Sequence, residues 1–95
     1  MPGRIEGKVT AVTPAGDLVT DIPVGNLADA PRDERTTVTC DEHVTQGLFA
    51  ADHQEPPMTF LALLGAGGFL ELVIVGDSAK IMLGIRPGQP VVVSW

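Results

Sequence analysis

The sequence is poor in aromatic residues, in cysteine and in positive charge. Its 95 residues include three phenylalanines, one tryptophan and no tyrosine, so valine, leucine, isoleucine and alanine must build the core. The single cysteine, Cys40, allows no internal disulfide and favours a reducing, cytoplasmic location. Six Lys and Arg residues stand against 12 Asp and Glu residues, for a formal net charge of −6. Phosphate backbones and anionic bilayers would be repelled, which excludes nucleic acid and membranes as main partners.

Long hydrophobic runs are also missing. The longest apolar stretch, 59–75, is interrupted by glycines and by Glu71, and it is shorter than the ~20 residues that a membrane-spanning helix needs. The N-terminus has no signal-like apolar stretch. Apolar residues nevertheless make up 44% of the chain, which predicts a compact fold. At this length we expect one domain, 1–95, with one core and no separate cofactor domain.

A glycine cluster organises the C-terminal half of the chain. Two apolar segments, 58–64 and 69–75, meet at Gly65-Ala66-Gly67-Gly68, and glycine adopts the positive φ angles of a tight turn without a Cβ clash. The second segment is rich in Leu, Val and Ile with one carboxylate, which predicts a central strand buried on both faces or nearly so. Because a strand and not a helix follows the glycines, the cluster does not fit a dinucleotide-binding fingerprint.

The remaining segments alternate between short β-branched runs and turn residues. Pro14 to Asp17 predicts a turn, Gly7 a bulge, and 24–29 one helical turn. Ser78 to Gly84 predicts one short helix with a serine N-cap and a glycine at its end. The pattern is typical of an all-β fold, an antiparallel barrel or sandwich of about seven strands with that one short helix. Those strands are 4–13, 18–22, 36–40, 43–49, 58–64, 69–75 and 91–94.

Residues that could carry chemistry form no recognised set. Zinc-ligand types occur at Cys40, His43, Asp52 and His53, but their spacing matches no known finger. We therefore predict no metal site, with the cysteine in the core and the histidines on exposed loops. Ser78 is interpreted as a helix cap. Asp17, a predicted turn former, and Asp21 would lie on one strand face about 13 Å apart, too far to share a proton.

Two segments carry a longer pattern. Gly7 to Ile22 resembles a glycine and a strand followed by FGNxxTNI, and Gly65 to Ala79 resembles SxGYLEIAVNxGSA. Leu83-Gly84 and Pro87-Gly88 then resemble LG…xGD. These are hallmarks of the C-terminal domain of the S-adenosylmethionine hydroxide adenosyltransferases, the family that includes the fluorinase and chlorinase enzymes. The resemblance covers nearly the whole chain.

The resemblance implies a small β-barrel whose active site lies between it and the N-terminal domain of a neighbouring subunit in a trimer. That N-terminal domain supplies the groups that activate water or halide, so this chain resembles half of a binding site. We therefore expect a stand-alone, non-catalytic barrel that holds no cofactor and either self-associates, for example as a trimer, or docks on another protein. One alternative is half of a split S-adenosylmethionine hydrolase, completing an adenosine pocket on a separately encoded N-terminal domain. The other is a metal-dependent small-molecule binder using His43 and His53.

The resemblance also implies positions that would contact an adenosine-like ligand. Asp17 matches an adenine-contacting Asn, and it keeps an acceptor but loses the amide donor. Phe49 matches a ring-stacking aromatic, although core packing is an equal alternative. An Asn is replaced by Val75, and a Ser at the methionine end by Ala66. Each lost polar partner costs about 1–3 kcal/mol, so S-adenosylmethionine or adenosine would bind weakly. The full set is Asp17, Phe49, Ala66, Gly67, Val75 and Gly76.

Overall fold

The computed structural model describes residues 3–50 and 52–95. Within them the chain forms eight strands, a short 3-10 helix and one α-helix. The strands run in the order β4-β3-β8-β1-β2-β7-β6-β5 through a single sheet. The elements are β1 (Arg4–Val12), β2 (Leu18–Pro23), the 3-10 helix (Val24–Leu27), β3 (Thr37–Cys40), β4 (His43–Gln46), β5 (Leu48–Phe49), β6 (Phe60–Leu64), β7 (Phe69–Ile74), α1 (Ala79–Leu83) and β8 (Pro90–Ser94).

The sheet curls into a nearly closed barrel because the segment predicted as one strand, 43–49, forms the edge strand at each end of the sheet. The predicted strand 43–49 is divided by Gly47, which has a φ of 88°. The part before it, β4, pairs antiparallel with β3, and the part after it, β5, pairs parallel with β6. Thr45 Oγ1 also donates to the Phe60 carbonyl across the gap, at 2.9 Å. The predicted fold class is confirmed, with eight strands in place of seven and with one parallel pair.

The hairpins and the helix ends follow the sequence signals closely. The hairpin of β6 and β7 turns at Gly68, whose φ is 93°. Ser78 caps α1 by accepting a hydrogen bond from the Ile81 amide, and Gly84 ends the helix in the left-handed conformation. The predicted bulge lies elsewhere. Gly7 pairs regularly with Val91, whereas the irregularity falls between Val9 and Ala11.

The core fills the barrel interior with aliphatic side chains. On β7, Leu70, Leu72 and Ile74 are buried, while the alternate side chains Glu71 and Val73 are half-buried. The central strand therefore has one fully buried face and one half-buried face, whereas the prediction was burial on both faces or nearly so. The larger fully buried core side chains also include Val9, Leu18, Ile22, Leu27, Val38, Ile85, Val91 and Val93. None of the helices in the described residues is long and apolar enough to cross a membrane. The cytoplasmic location stays a prediction.

The turn between β1 and β2 is attached to the start of α1. Gly16 has a φ of 94°, and a Cβ at this position would collide with the Ser78 side chain. The Gly16 carbonyl accepts a hydrogen bond of 2.9 Å from the Lys80 amide. The turn is closed by Thr13, whose Oγ1 accepts from the Asp17 amide at 3.1 Å. Glycine is therefore required at position 16 by both its backbone conformation and its close contact.

We expect Gly16→Ala to lower the free energy of unfolding by about 2–4 kcal/mol, because it adds both left-handed strain and a steric clash. Urea unfolding followed by circular dichroism measures this difference. The control is Gly67→Ala, since no atom lies within 4 Å of a Cβ placed there. A change at position 16 as small as that of the control would contradict the proposed attachment.

Candidate functional site

An open groove of about 570 Å³ lies where the β1–β2 turn meets the end of β7. Its floor is half-buried, whereas its rim at Ala15, Gly76 and Asp77 is exposed. The groove is therefore a one-sided cleft, of a volume that suits a small molecule or an inserted side chain of another protein. It is lined by Ala15, Asp17, His53, Val73, Ile74, Val75, Gly76, Asp77 and Ser78.

Three connections hold the groove walls in place. Asp17 is positioned by the turn whose Gly16 carbonyl is bonded to α1. Val75 is fixed on both sides of its peptide, since its amide donates to the Thr59 carbonyl and its carbonyl accepts from Met58. Met58 adopts a positive φ of 68°, a conformation that costs about 1–2 kcal/mol in a residue other than glycine. Val75 in the groove wall is thus bonded to a strained residue, Met58, that lies behind the groove lining.

A second depression of about 390 Å³ continues from the groove around the β1–β2 turn. The two share Ala15 and Ser78. The second one includes Ile81, the most exposed large hydrophobic side chain of the described residues at 78%. Lys80 also lines it. Together the two depressions form a continuous concave surface around the turn.

The structure brings together only part of the predicted ligand-contact set. Asp17, Val75 and Gly76 line the groove together. Phe49 is half-buried beside it, with its ring edge-on to His53 and the ring centroids 6.3 Å apart. Ala66 and Gly67 occupy the β6–β7 turn, at the opposite end of a strand about 17 Å long. A single ligand touching all of these positions would have to lie along the outer face of β7.

That outer face carries a row of half-buried side chains across four strands. Glu71 on β7 lies opposite Val19 on β2 and Leu63 on β6, and Leu63 in turn lies opposite Phe49 on β5. Val73 is on the same face of β7. We call Asp17, Val19, Leu63, Glu71 and Val73 the acidic outer face. Sequence reasoning missed Glu71 as a site residue, although a lone carboxylate in an aliphatic strand was a usable signal.

The two carboxylates of the acidic outer face are electrostatically unfavourable. Burial raises the pKa of Asp17. Burial also raises the pKa of Glu71, and the negative charge of Asp17 raises it further. The ion pairs formed among residues 3–50 and 52–95 are Arg4–Glu6 and Arg35–Asp33, and neither includes them. Each carboxylate is thus partly removed from water without a cation beside it.

The candidate metal ligands are dispersed. Cys40 points into the core as predicted. Its burial and, to a smaller extent, the negative charge of Asp41 raise the pKa of its thiol to about 11. His43 is half-buried on β4 and its Nε2 donates to the Leu83 carbonyl at 2.9 Å, so its predicted loop position is wrong. His53 does lie in a loop, at the groove. Residues 3–50 and 52–95 contain no group of three His, Cys, Asp or Glu side chains suited to a metal ion.

We expect Glu71→Gln to raise the melting temperature at pH 7. A raised pKa means that ionisation of Glu71 opposes folding, so this penalty is absent below the unfolded-state pKa, grows as the pH rises from there to the folded-state pKa, and is complete above it. Removing one of two like charges on neighbouring strands raises the free energy of unfolding by about 0.2–1 kcal/mol. For a chain of this size, that corresponds to a rise in melting temperature of roughly 1–6 °C. Scanning calorimetry at pH 3 and pH 7 should find the gain only at pH 7. The exposed Glu42→Gln is the control, and an equal gain at pH 3 would contradict the assignment.

Comparison with known proteins identifies the barrel. The sequence profile described as SAM hydroxide adenosyltransferase C-terminal domain matches residues 7–92. Solved structures with the same fold include an uncharacterized conserved protein from Thermotoga maritima, with a TM-score of 0.74 at 20% identity. A conserved hypothetical protein from Thermus thermophilus gives a TM-score of 0.71 at 22% identity. No curated protein matches the sequence significantly.

The structural matches cover nearly all of this chain but only part of each solved chain. Each alignment covers 93% of this chain but only 35% and 34% of the two solved chains. The chain therefore spans about a third of the length of the structures that it matches. The profile match, in contrast, takes in both segments whose motifs carry the resemblance, from Gly7 to Ile22 and from Gly65 to Ala79. The chain belongs to the family of SAM hydroxide adenosyltransferase C-terminal domains.

Proposed function

We propose that this barrel is a non-catalytic docking domain that supplies one wall of a binding site. A second protein domain, from another copy of the chain or from a different protein, supplies the other wall. The observation that carries this proposal is the one-sided groove and its adjoining acidic outer face. Half-buried apolar side chains such as Val73 and Leu63 lie there beside carboxylates that have no cation among the described residues. Apolar patches rimmed by polar residues are typical of protein contacts.

The chemistry of the groove supports a non-catalytic function. Its titratable side chains are Asp17, Asp77 and His53. Asp77 accepts a hydrogen bond from the Ser78 amide at 2.7 Å, which is a structural use of that carboxylate. Ser78 Oγ accepts from the helix and so serves as a cap. At two positions where the family pattern has polar side chains, this chain has Ala66 and Val75. Positioning of a partner or a weak ligand therefore fits these residues better than bond making.

We expect Val73→Arg to dissociate the assembly that the full-length natural protein forms. The substitution places a bulky charge in the centre of the proposed contact, while Asp17 and Glu71 beside it can pair with the new guanidinium and preserve the fold. Size-exclusion chromatography with light scattering measures the mass. Val44→Arg, on the exposed side of β4, is the matched control. A strict monomer that also binds no partner protein, or an assembly that survives Val73→Arg, would contradict the docking function.

A second candidate function is completion of an adenosine pocket on a separately encoded N-terminal-type domain. The observation favouring it is that Asp17, Val75 and Gly76 line one groove with Phe49 next to it. Phe49 is half-buried on the outer side of the sheet, where one ring face could still accept a purine. A pocket shared between two chains would leave each chain with weak affinity by itself.

For this second candidate, we expect Phe49→Ala to weaken adenosine binding roughly tenfold or more, since stacking of a base on an aromatic ring is worth about 1–3 kcal/mol. Calorimetric titration with adenosine and with S-adenosylmethionine, for the protein alone and with its co-purifying partner, measures this effect. Phe69→Ala, at the other end of β7 and 42% exposed, is the control. Absent binding in both preparations, or equal effects of the two variants, would exclude the adenosine pocket.

A further inference from the structure

His53 is the aromatic side chain that forms part of the groove wall. Phe49, the aromatic residue expected at a ligand, packs beside His53 and is not itself among the lining residues. The two rings meet edge to face, with their planes at 78°. Phe49 belongs to β5, which is paired with β6, so it supports the imidazole from a fixed position. A ligand in the groove therefore contacts the ring of His53.

One hydrogen bond determines which nitrogen of His53 carries the proton. The Glu55 amide donates to Nδ1 at 3.2 Å. A ring nitrogen that accepts a hydrogen bond carries no proton, so the neutral imidazole is protonated on Nε2. Within residues 3–50 and 52–95, Nε2 has no hydrogen-bond partner, and every buried side-chain nitrogen or oxygen does have one. The Nε2–H group is therefore accessible, and it offers the groove a donor.

Asp17 supplies the complementary acceptor on the same groove. Its backbone amide, and not its carboxylate, takes part in the hydrogen bond that closes the β1–β2 turn. The two other polar side chains of the groove are bonded to backbone amides. Asp77 accepts from the Ser78 amide, and Ser78 Oγ accepts from the first turn of α1. The groove thus presents an acceptor, Asp17, and a donor, His53, that the fold itself does not use.

This pair of groups restricts the chemistry of the ligand. A phosphate or carboxylate can accept from His53 but is repelled by Asp17. An ammonium or guanidinium group can pair with Asp17 but has no acceptor for His53. A neutral heterocycle with an amino group next to a ring nitrogen, as in adenine, provides a donor and an acceptor side by side. A ligand that lacks either one leaves a polar group of the groove unpaired.

We propose that His53 is a specificity-determining residue of the groove. Its Nε2–H donates to a ring nitrogen of a neutral, amino-substituted heterocycle, and the amino group of that heterocycle donates to Asp17. The Glu55 amide holds the imidazole in the required tautomer. This rests on the second candidate function, the adenosine pocket, and it identifies the two contacts that select the base.

The first part of the test needs no ligand. Long-range ¹H–¹⁵N spectra of the full-length protein distinguish the two neutral imidazole tautomers, and we expect the Nε2–H tautomer for His53. The amide of Glu55 should be protected from hydrogen exchange. His53→Asn should preserve that protection, because the Oδ1 of asparagine is bonded to Cγ, as Nδ1 of the imidazole is, and can accept from the same amide. An Nδ1–H tautomer at His53 would overturn the proposal.

The second part measures binding by calorimetry, for the full-length protein alone and with its co-purifying partner. We expect His53→Asn to weaken adenosine binding about tenfold or more, because the donor is lost. His53→Gln should recover most of the affinity, since the Nε2 of glutamine lies three bonds from Cβ, as Nε2 of the imidazole does. The control is His43→Gln, because His43 bonds the Leu83 carbonyl outside the groove and glutamine retains a donor there.

Analogues of adenosine test the two contacts separately. Purine riboside lacks the amino group and should bind about tenfold more weakly than adenosine. The 1-deaza and 7-deaza analogues each lack one ring nitrogen. We expect one of these two to bind about as weakly as purine riboside, and to bind the natural protein and His53→Asn equally, because the contact with His53 is already absent.

The outcomes separate this proposal from the function on which it rests. Adenosine binding that is unchanged by His53→Asn would overturn the proposal and leave the adenosine pocket intact. The same holds if purine riboside, or both deaza analogues, bind as tightly as adenosine. Absence of adenosine binding in both preparations would overturn the proposal together with the adenosine pocket, while the docking function would stand on the assembly measured with Val73→Arg.

Discussion

The pairing of Leu18 with Leu72 is the constraint on which the candidate site depends. Both side chains are fully buried, so the pair assigns one face of β2 and β7 to the core. Because side chains alternate along a strand, Val19 and Glu71 must then lie on the outer face. A slip by one residue would bury the carboxylate and expose the leucines. The position of the acidic outer face is therefore a consequence of core packing.

Thr20 reinforces this register where the backbone ladder between β2 and β7 is irregular. The pairing of β2 with β7 becomes irregular between Val19 and Pro23. In that interval the buried hydroxyl of Thr20 donates to the Leu70 carbonyl at 2.7 Å and accepts from the Ile22 amide at 3.2 Å. A buried hydroxyl with both roles satisfied can act as a register lock, since any shift would leave it unpaired. The irregular ladder is thus compensated from inside the barrel.

Local chemistry explains which features could be predicted from the sequence. The cap at Ser78, the helix end at Gly84 and the turn at Gly68 each depend on one residue type in one backbone conformation, and all were predicted correctly. The interruption at Gly47 was missed because a glycine between two apolar segments fits equally well within a single strand. Its effect is non-local, since it lets β4 and β5 pair with different neighbours and bring the ends of the sheet together.

The site itself required the fold, because its walls come from distant parts of the chain. Asp17 was interpreted as a turn former, yet Thr13 supplies the side-chain hydrogen bond that closes the turn. The Asp17 carboxylate is thereby released from a structural role and lines the groove instead. A carboxylate offers only acceptors, whereas an amide at that position offers a donor as well. Whatever occupies this groove must therefore present donors or a positive charge to Asp17, and that requirement favours a cationic side chain over a neutral acceptor.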